Sequence, residues 1–230
     1  MRINISRVRG GTAFACIATL VAGISIGVSQ ADEEEGGGDG ERSLVRIGFQ
    51  VAPVPLNTRG KDKELVGLGS YIVNVVADCN GCHSDPRFSY AKGGNPYFKG
   101  NQPKVVNPAV YLGGGQDFGN FGPETPNIVS RNLTPDKTGM PAGGRTWPEF
   151  RAILKTGVDL DHLHPNCPPA AVTDNCFGMH QPFNGDLLQI MPWPAFQSMT
   201  DHQMRAIYEY LSAIPCIAGP PTGVLHNDCF

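Results

Sequence analysis

The chain has 230 residues, of which 17% are charged, and a formal net charge of −3. That length and low charge suit one domain with a real core. No basic stripe is present that would serve a nucleic-acid partner.

Arg2, Arg7 and Arg9 precede an apolar run from Phe14 to Val28, which closes on Ser29-Gln30-Ala31 ahead of Asp32. This pattern predicts a secretory signal peptide over 1–31, cleaved after Ala31. An uncleaved anchor is the competing reading, because 11–28 approaches the roughly 20 apolar residues of a membrane span. Thr12, Thr19 and Ser25 interrupt that run. Cleavage removes three arginines and no carboxylate, so the net charge moves from −3 to −6. The expected product is an acidic exported protein, periplasmic in a bacterium, with no span left after cleavage. Any electrostatically steered partner should present a positive patch.

Residues 32–63 are expected to be a tether and lead-in, and their opening "DEEEGGGDGERS", acidic and glycine-rich, is expected to lack fixed structure. The domain proper is expected over 64–230. "KELVGLGSYIVNVVADC" predicts a helix with Leu65, Leu68, Ile72, Val75 and Val76 on its inner face. From Ser84 to Arg145 the sequence is rich in Gly and Pro with little periodicity, which predicts short strands or a wrap around a bound object. "TWPEFRAILKTG" predicts a second helix, with Thr146 as N-cap, Glu149 completing a capping box and Gly157 as stop. Its inward residues are Trp147, Phe150 and Leu154. "MTDHQMRAIYEYLSAIP" repeats the grammar with Thr200 and Gln203, and lines up Met204, Ile207, Tyr208 and Leu211.

Seven cysteines less Cys16 of the signal leave six. Cys79 and Cys82 form the pair in "CNGCH". The other four, Cys167, Cys176, Cys216 and Cys229, are expected to bridge between sequence neighbours in an oxidising compartment, as Cys167–Cys176 and Cys216–Cys229. For Cys79-Asn80-Gly81-Cys82-His83 three chemistries compete. A zinc knuckle needs four ligands, and adjacent Cys82 and His83 point apart. A thiol–disulfide switch belongs after a strand in a βαβ setting, which is not visible here. Haem attachment uses every part of the motif. Each thiol adds to one vinyl group, and His83 lies beneath the iron as proximal ligand. One covalent haem c is therefore expected.

The chain resembles the class I c-type cytochromes, and within them the single-haem modules that accompany periplasmic quinoprotein alcohol dehydrogenases and molybdenum hydroxylases. The residues that carry the resemblance are "GLGSYIVNVVADCNGCH", "AVYLGGGQDF", "TPNIVSRNLTPD", "TWPEFRAILKTGVD" and "MPWPAFQSMTDHQMRAIYEYLSAIP". It implies an all-α, cytochrome c-like fold around one haem with long irregular loops. It also implies Met191 as sixth iron ligand. The residues around Met191 agree: Ile190, Pro192, Trp193 and Pro194 make a stiff apolar loop from which a thioether would raise the potential. A methionine beside aromatics also serves as core filling. Met140, Met179, Met199 and Met204 are the rival ligands, Met179 beside His180 the strongest of them. The four additional cysteines, the acidic segment and a His-rich insert depart from the family pattern. His162, His164 and His180 of that insert are a candidate second metal site.

The function expected is electron transfer rather than catalysis, between a dehydrogenase donor and a cytochrome or oxidase acceptor. The alternatives are a haem enzyme with an open or displaceable sixth position, and an accessory subunit.

Overall fold

The computed structural model describes residues 35–90, 105–120, 127–161, 186–221, 223 and 225–230. The signal segment, the disulfide expected between Cys167 and Cys176, Met179 and the histidines at 162, 164 and 180 lie outside them. The described chain is all-α: α1 (Glu35–Val51), α2 (Lys63–Tyr71), α3 (Cys79–Cys82), α4 (Pro141–Gly144), α5 (Trp147–Thr156), α6 (Trp193–Phe196) and α7 (Asp201–Leu211). Extended pairing among the described residues is confined to isolated bridges, such as Ser84 with Gly114 and Val158 with Leu187. None of these helices is long and apolar enough to cross a membrane.

α2 is the central element. Asp62 caps it, its carboxylate accepting from the N–H groups of Glu64 and Leu65. On one side Gly67 touches α1, where a Cβ on Gly48 would sit 1.8 Å from the Gly67 carbonyl oxygen. On the other, a Cβ on Gly69 would sit 1.9 Å from the carbonyl oxygen of Ala206 in α7. Residues two apart project about 200° apart around a helix, so these glycines let two neighbours reach α2 at backbone distance. Val66, Leu68, Ile72 and Val73 pack with Met204, Ile207, Tyr208 and Leu211 in one core.

Two features differ from expectation. The segment read as an unstructured tether is largely α1. Its glycine-rich first half has weak propensity, but Leu44, Val45 and Gly48 in its second half pack on the core. Tertiary burial thus supports a helix that composition argues against. The second difference lies at the end of α2, which widens into a π-turn over Ile72–Val76. The extra residue in that turn rotates the register. Val73 becomes buried, while Val75 and Val76, expected inside, are 48% and 63% exposed.

The two later helices follow expectation closely. Gln203 Oε1 accepts from the Thr200 N–H, and the Thr200 hydroxyl accepts from the Gln203 N–H, closing the box on α7. On α5, Glu149 accepts from both the backbone N–H and the hydroxyl of Thr146. Those bonds hold its carboxyl below the usual range. Trp147 and Phe150 meet Tyr208 edge-on, with centroids 5.7 and 5.5 Å apart.

Beyond α7 the chain turns back over the loop 130–137. Cys216 and Cys229 stand at disulfide distance with Cα atoms 5.8 Å apart. Within that closed segment Asn227 donates to the carbonyls of Thr134 and Pro135, and Asn132 donates to the carbonyls of Ile217 and Leu225.

Two stability measurements follow. Gly69→Ala should cost about 3 kcal/mol, because the clash is with backbone rather than a movable side chain. Gly40→Ala, on the exposed part of α1 with nothing within 4 Å, should instead gain about 0.5–1 kcal/mol. Urea titration of both variants checks the opposite signs. Replacing Cys216 and Cys229 together by serine should lower stability by about 3 kcal/mol, as expected for a loop of this size. The same loss should appear when wild type is titrated under reducing conditions.

Candidate functional site: the Cys79–His83 turn and its supports

α3 is a single turn preceded by Asp78, a non-glycine residue with φ of 42°. Cys79 and Cys82 lie on it as free thiols, Cys79 half-buried against the core and Cys82 exposed. Burial, reinforced by the Asp78 carboxylate, pushes the Cys79 thiol up to about 12. The same two causes raise Cys82. A reactive dithiol has the reverse character, with one thiol depressed. Among the described residues no three His, Cys, Asp or Glu side chains are grouped so as to share a metal ion. The described residues therefore lend no support to the zinc or thiol-switch chemistries.

His83 follows at the C-cap of α3, its N–H donating to the Cys79 carbonyl at 2.8 Å. Its Nδ1 lies 2.9 Å from the Arg131 carbonyl oxygen. A carbonyl only accepts, so Nδ1 carries the proton and Nε2 is left with its lone pair for a metal. Burial lowers the imidazole below its ordinary value. The bond to Arg131 opposes that shift and the Arg131 charge adds to it. The neutral, oriented imidazole is the ligating form. Two free thiols on the turn before it complete the donor set that a covalently attached haem requires, so the residues present fit that group.

Backbone strain gathers around this turn. Besides Asp78, the fully buried Leu112 has φ of 59°. Its N–H lies between the Ser84 hydroxyl oxygen at 3.1 Å and Asn80 Oδ1 at 3.3 Å, and its carbonyl accepts from Leu133. Such conformations cost about 1–3 kcal/mol each and persist where surrounding bonds over-determine them. Asn80 is 3% exposed and its Nδ2 has no partner among the described residues, a buried donor one residue beyond Cys79.

The core under Cys79 holds a closed polar ring. Tyr111 donates to Asn74 Oδ1 at 2.5 Å, and Asn74 Nδ2 donates to the Tyr210 hydroxyl at 3.1 Å. The two hydroxyls are 2.8 Å apart. With the Tyr111 proton spent on Asn74, Tyr210 donates to Tyr111 and the ring closes. Burial raises both phenols, so both remain protonated donors.

Met191 lies on the loop before α6. Segment 187–194 lines an open cleft of about 460 Å³. The loop is fixed to the end of α5: Leu188 N–H donates to the Gly157 carbonyl, and Asp159 N–H to that of Asp186. Gly157 has φ of 71°, and a Cβ there would fall 2.2 Å from the Trp193 ring. That ring in turn donates from Nε1 to the Leu188 carbonyl. Met191 and Cys79 each pack on the edge of the one core. Of the rival methionines, Met204 is fully buried in α7, while Met199 packs partly buried on the same core.

Sequence reading missed Arg131, Asn74, Tyr111, Tyr210 and Asp159. Arg131 and Tyr111 fall within the quoted blocks "TPNIVSRNLTPD" and "AVYLGGGQDF". Nothing local marks the first as the acceptor for His83 or the second as part of a ring.

No protein-family model matches the chain, and no solved structure matches it. Among curated proteins it is similar to the gluconate 2-dehydrogenase cytochrome c subunit of Pantoea cypripedii, 29% identical over 147 residues. The aligned stretch covers 64% of this chain and 22% of that protein, so the chain spans about a fifth of its relative's length. The similarity supports a cytochrome c module.

The polar ring makes a testable demand. Tyr111→Phe leaves Asn74 Oδ1 buried without that donor and should cost about 1–3 kcal/mol. Combined with Tyr210→Phe, the loss should fall short of the sum of the single losses, because one ring is broken once. A double-mutant cycle in urea measures this coupling.

Proposed function

We propose that the chain is an exported electron-transfer protein carrying one haem c, bound through Cys79 and Cys82, with His83 as proximal and Met191 as distal ligand. The observation that carries the proposal is the His83 Nδ1 bond to the Arg131 carbonyl, which leaves Nε2 neutral with its lone pair on a turn that also bears two free thiols. When bound, the haem supplies a one-electron Fe(III)/Fe(II) couple. The chain's own part is to hold it. Arg131 fixes the histidine tautomer, the Asn74–Tyr111–Tyr210 ring stiffens the floor beneath Cys79, and Gly157 with Trp193 seats the Met191 loop. With His83 and Met191 both as ligands the metal would keep no free position, which suits a carrier rather than an enzyme.

The relative is named as the cytochrome c subunit of a dehydrogenase. A dehydrogenase is accordingly the donor we propose, with another cytochrome or an oxidase as acceptor. Export follows from the 1–31 signal reading, since the attachment chemistry and the cysteine pairing both belong to an oxidising compartment.

The protein, expressed with its leader in a host that attaches haem, should retain colour through acid-acetone extraction and stain for haem after denaturing electrophoresis. The ferric form should be low-spin with the weak far-red band of methionine ligation. Met191→Ala should abolish that band and admit cyanide, whereas Met179→Ala should do neither. Extractable colour would overturn the attachment, and an unchanged Met191→Ala spectrum would overturn the ligand.

A further inference from the structure

The geometry points to Arg131 and Asp159 as a part-buried charge pair that tunes the reduction potential of the iron that His83 would ligate, an inference that rests on the haem reading above. One nitrogen of the Arg131 guanidinium lies 2.7 and 2.8 Å from the two Asp159 oxygens, and another lies 2.6 Å from Asp161. Asp161 also pairs with Arg145, so the four charges alternate in sign. Asp159 is 6% exposed, and the Arg131 side chain is 25% exposed. Solvent therefore screens this pair far less than the exposed pairs elsewhere on the surface.

Its placement ties both sides of the site together. Arg131 is the residue whose carbonyl accepts the hydrogen bond from His83 Nδ1–H. Asp159 donates its own N–H to Asp186, at the base of the loop that carries Met191. A buried ion pair is a poor source of stability, because desolvation offsets most of the attraction. Two apolar residues would serve packing as well. What apolar residues cannot supply is fixed charge close to the proximal ligand.

The sign of each charge then matters. Ferric iron carries one more positive charge than ferrous iron. A cation nearby favours the ferrous state and raises the potential, and a carboxylate lowers it. Arg131 and Asp159 thus act in opposition, and their balance sets the working value together with the axial ligands.

Spectroelectrochemical titration of the full haem-loaded chain tests this. Asp159→Asn should raise the potential and Arg131→Gln should lower it, with both variants remaining low-spin. A scaffold role alone would loosen the same bond in both cases and move them in one direction. Asp161→Asn, on the exposed arm of the same guanidinium, should shift the potential upward by less than Asp159→Asn. It remains informative if a buried variant does not mature. Asp228→Asn, whose partner Lys137 lies on the surface, should leave the potential where it is. Shifts of one sign for Asp159→Asn and Arg131→Gln, or no shift in Asp159→Asn or Asp161→Asn, overturn the inference while the haem reading stands. A wild-type protein without covalent haem overturns both.

Discussion

Everything in this fold is arranged around the backbone contact that α2 makes on two sides. Gly67 meets α1 and Gly69 meets α7, each with no room for a single carbon. Helices that approach this closely cannot slide without losing all of the packing at once. That fixes where α2 ends, and hence where the turn carrying Cys79, Cys82 and His83 begins. The π-turn over Ile72–Val76 completes the placement by changing the helical phase just before that turn.

From this fixed point the site is assembled by segments remote in sequence. The His83 tautomer depends on a carbonyl 48 residues away. That carbonyl belongs to a loop which the C-terminal segment holds through Asn132, Thr134 and Asn227, with Cys216 and Cys229 closing the segment on itself. The Met191 loop depends on the end of α5, where a left-handed glycine lets an indole ring lie against the backbone. Arg131 and Asp159 join the two supports. The electron-carrier role proposed for the chain would be served by such rigidity, because little would have to rearrange between oxidation states.

Much of this was legible in the residues. The boxes at Thr146–Glu149 and Thr200–Gln203 and the stripes of α5 and α7 depend only on local spacing, and the structure shows them where spacing puts them. The Cys79–His83 motif is likewise local. Val75 and Val76 face solvent because the α-helical period breaks at the π-turn. The glycines of α1 argue against order in the sequence alone, and only its contact with α2 supplies the packing that holds it helical.

The sequence by itself determined the short-range features: the capped helices α5 and α7, and which thiols and histidine share a turn. Each rests on interactions within a few residues, and so is written in spacing. Only the tertiary structure decided that Arg131 orients His83, that Tyr111 and Tyr210 close a ring through Asn74, and that Asp159 faces Arg131. Those partners lie between 28 and 136 residues apart, and nothing local to either member signals the other. Their meeting is a consequence of how α1, α2 and α7 pack, not of any one segment's own preference.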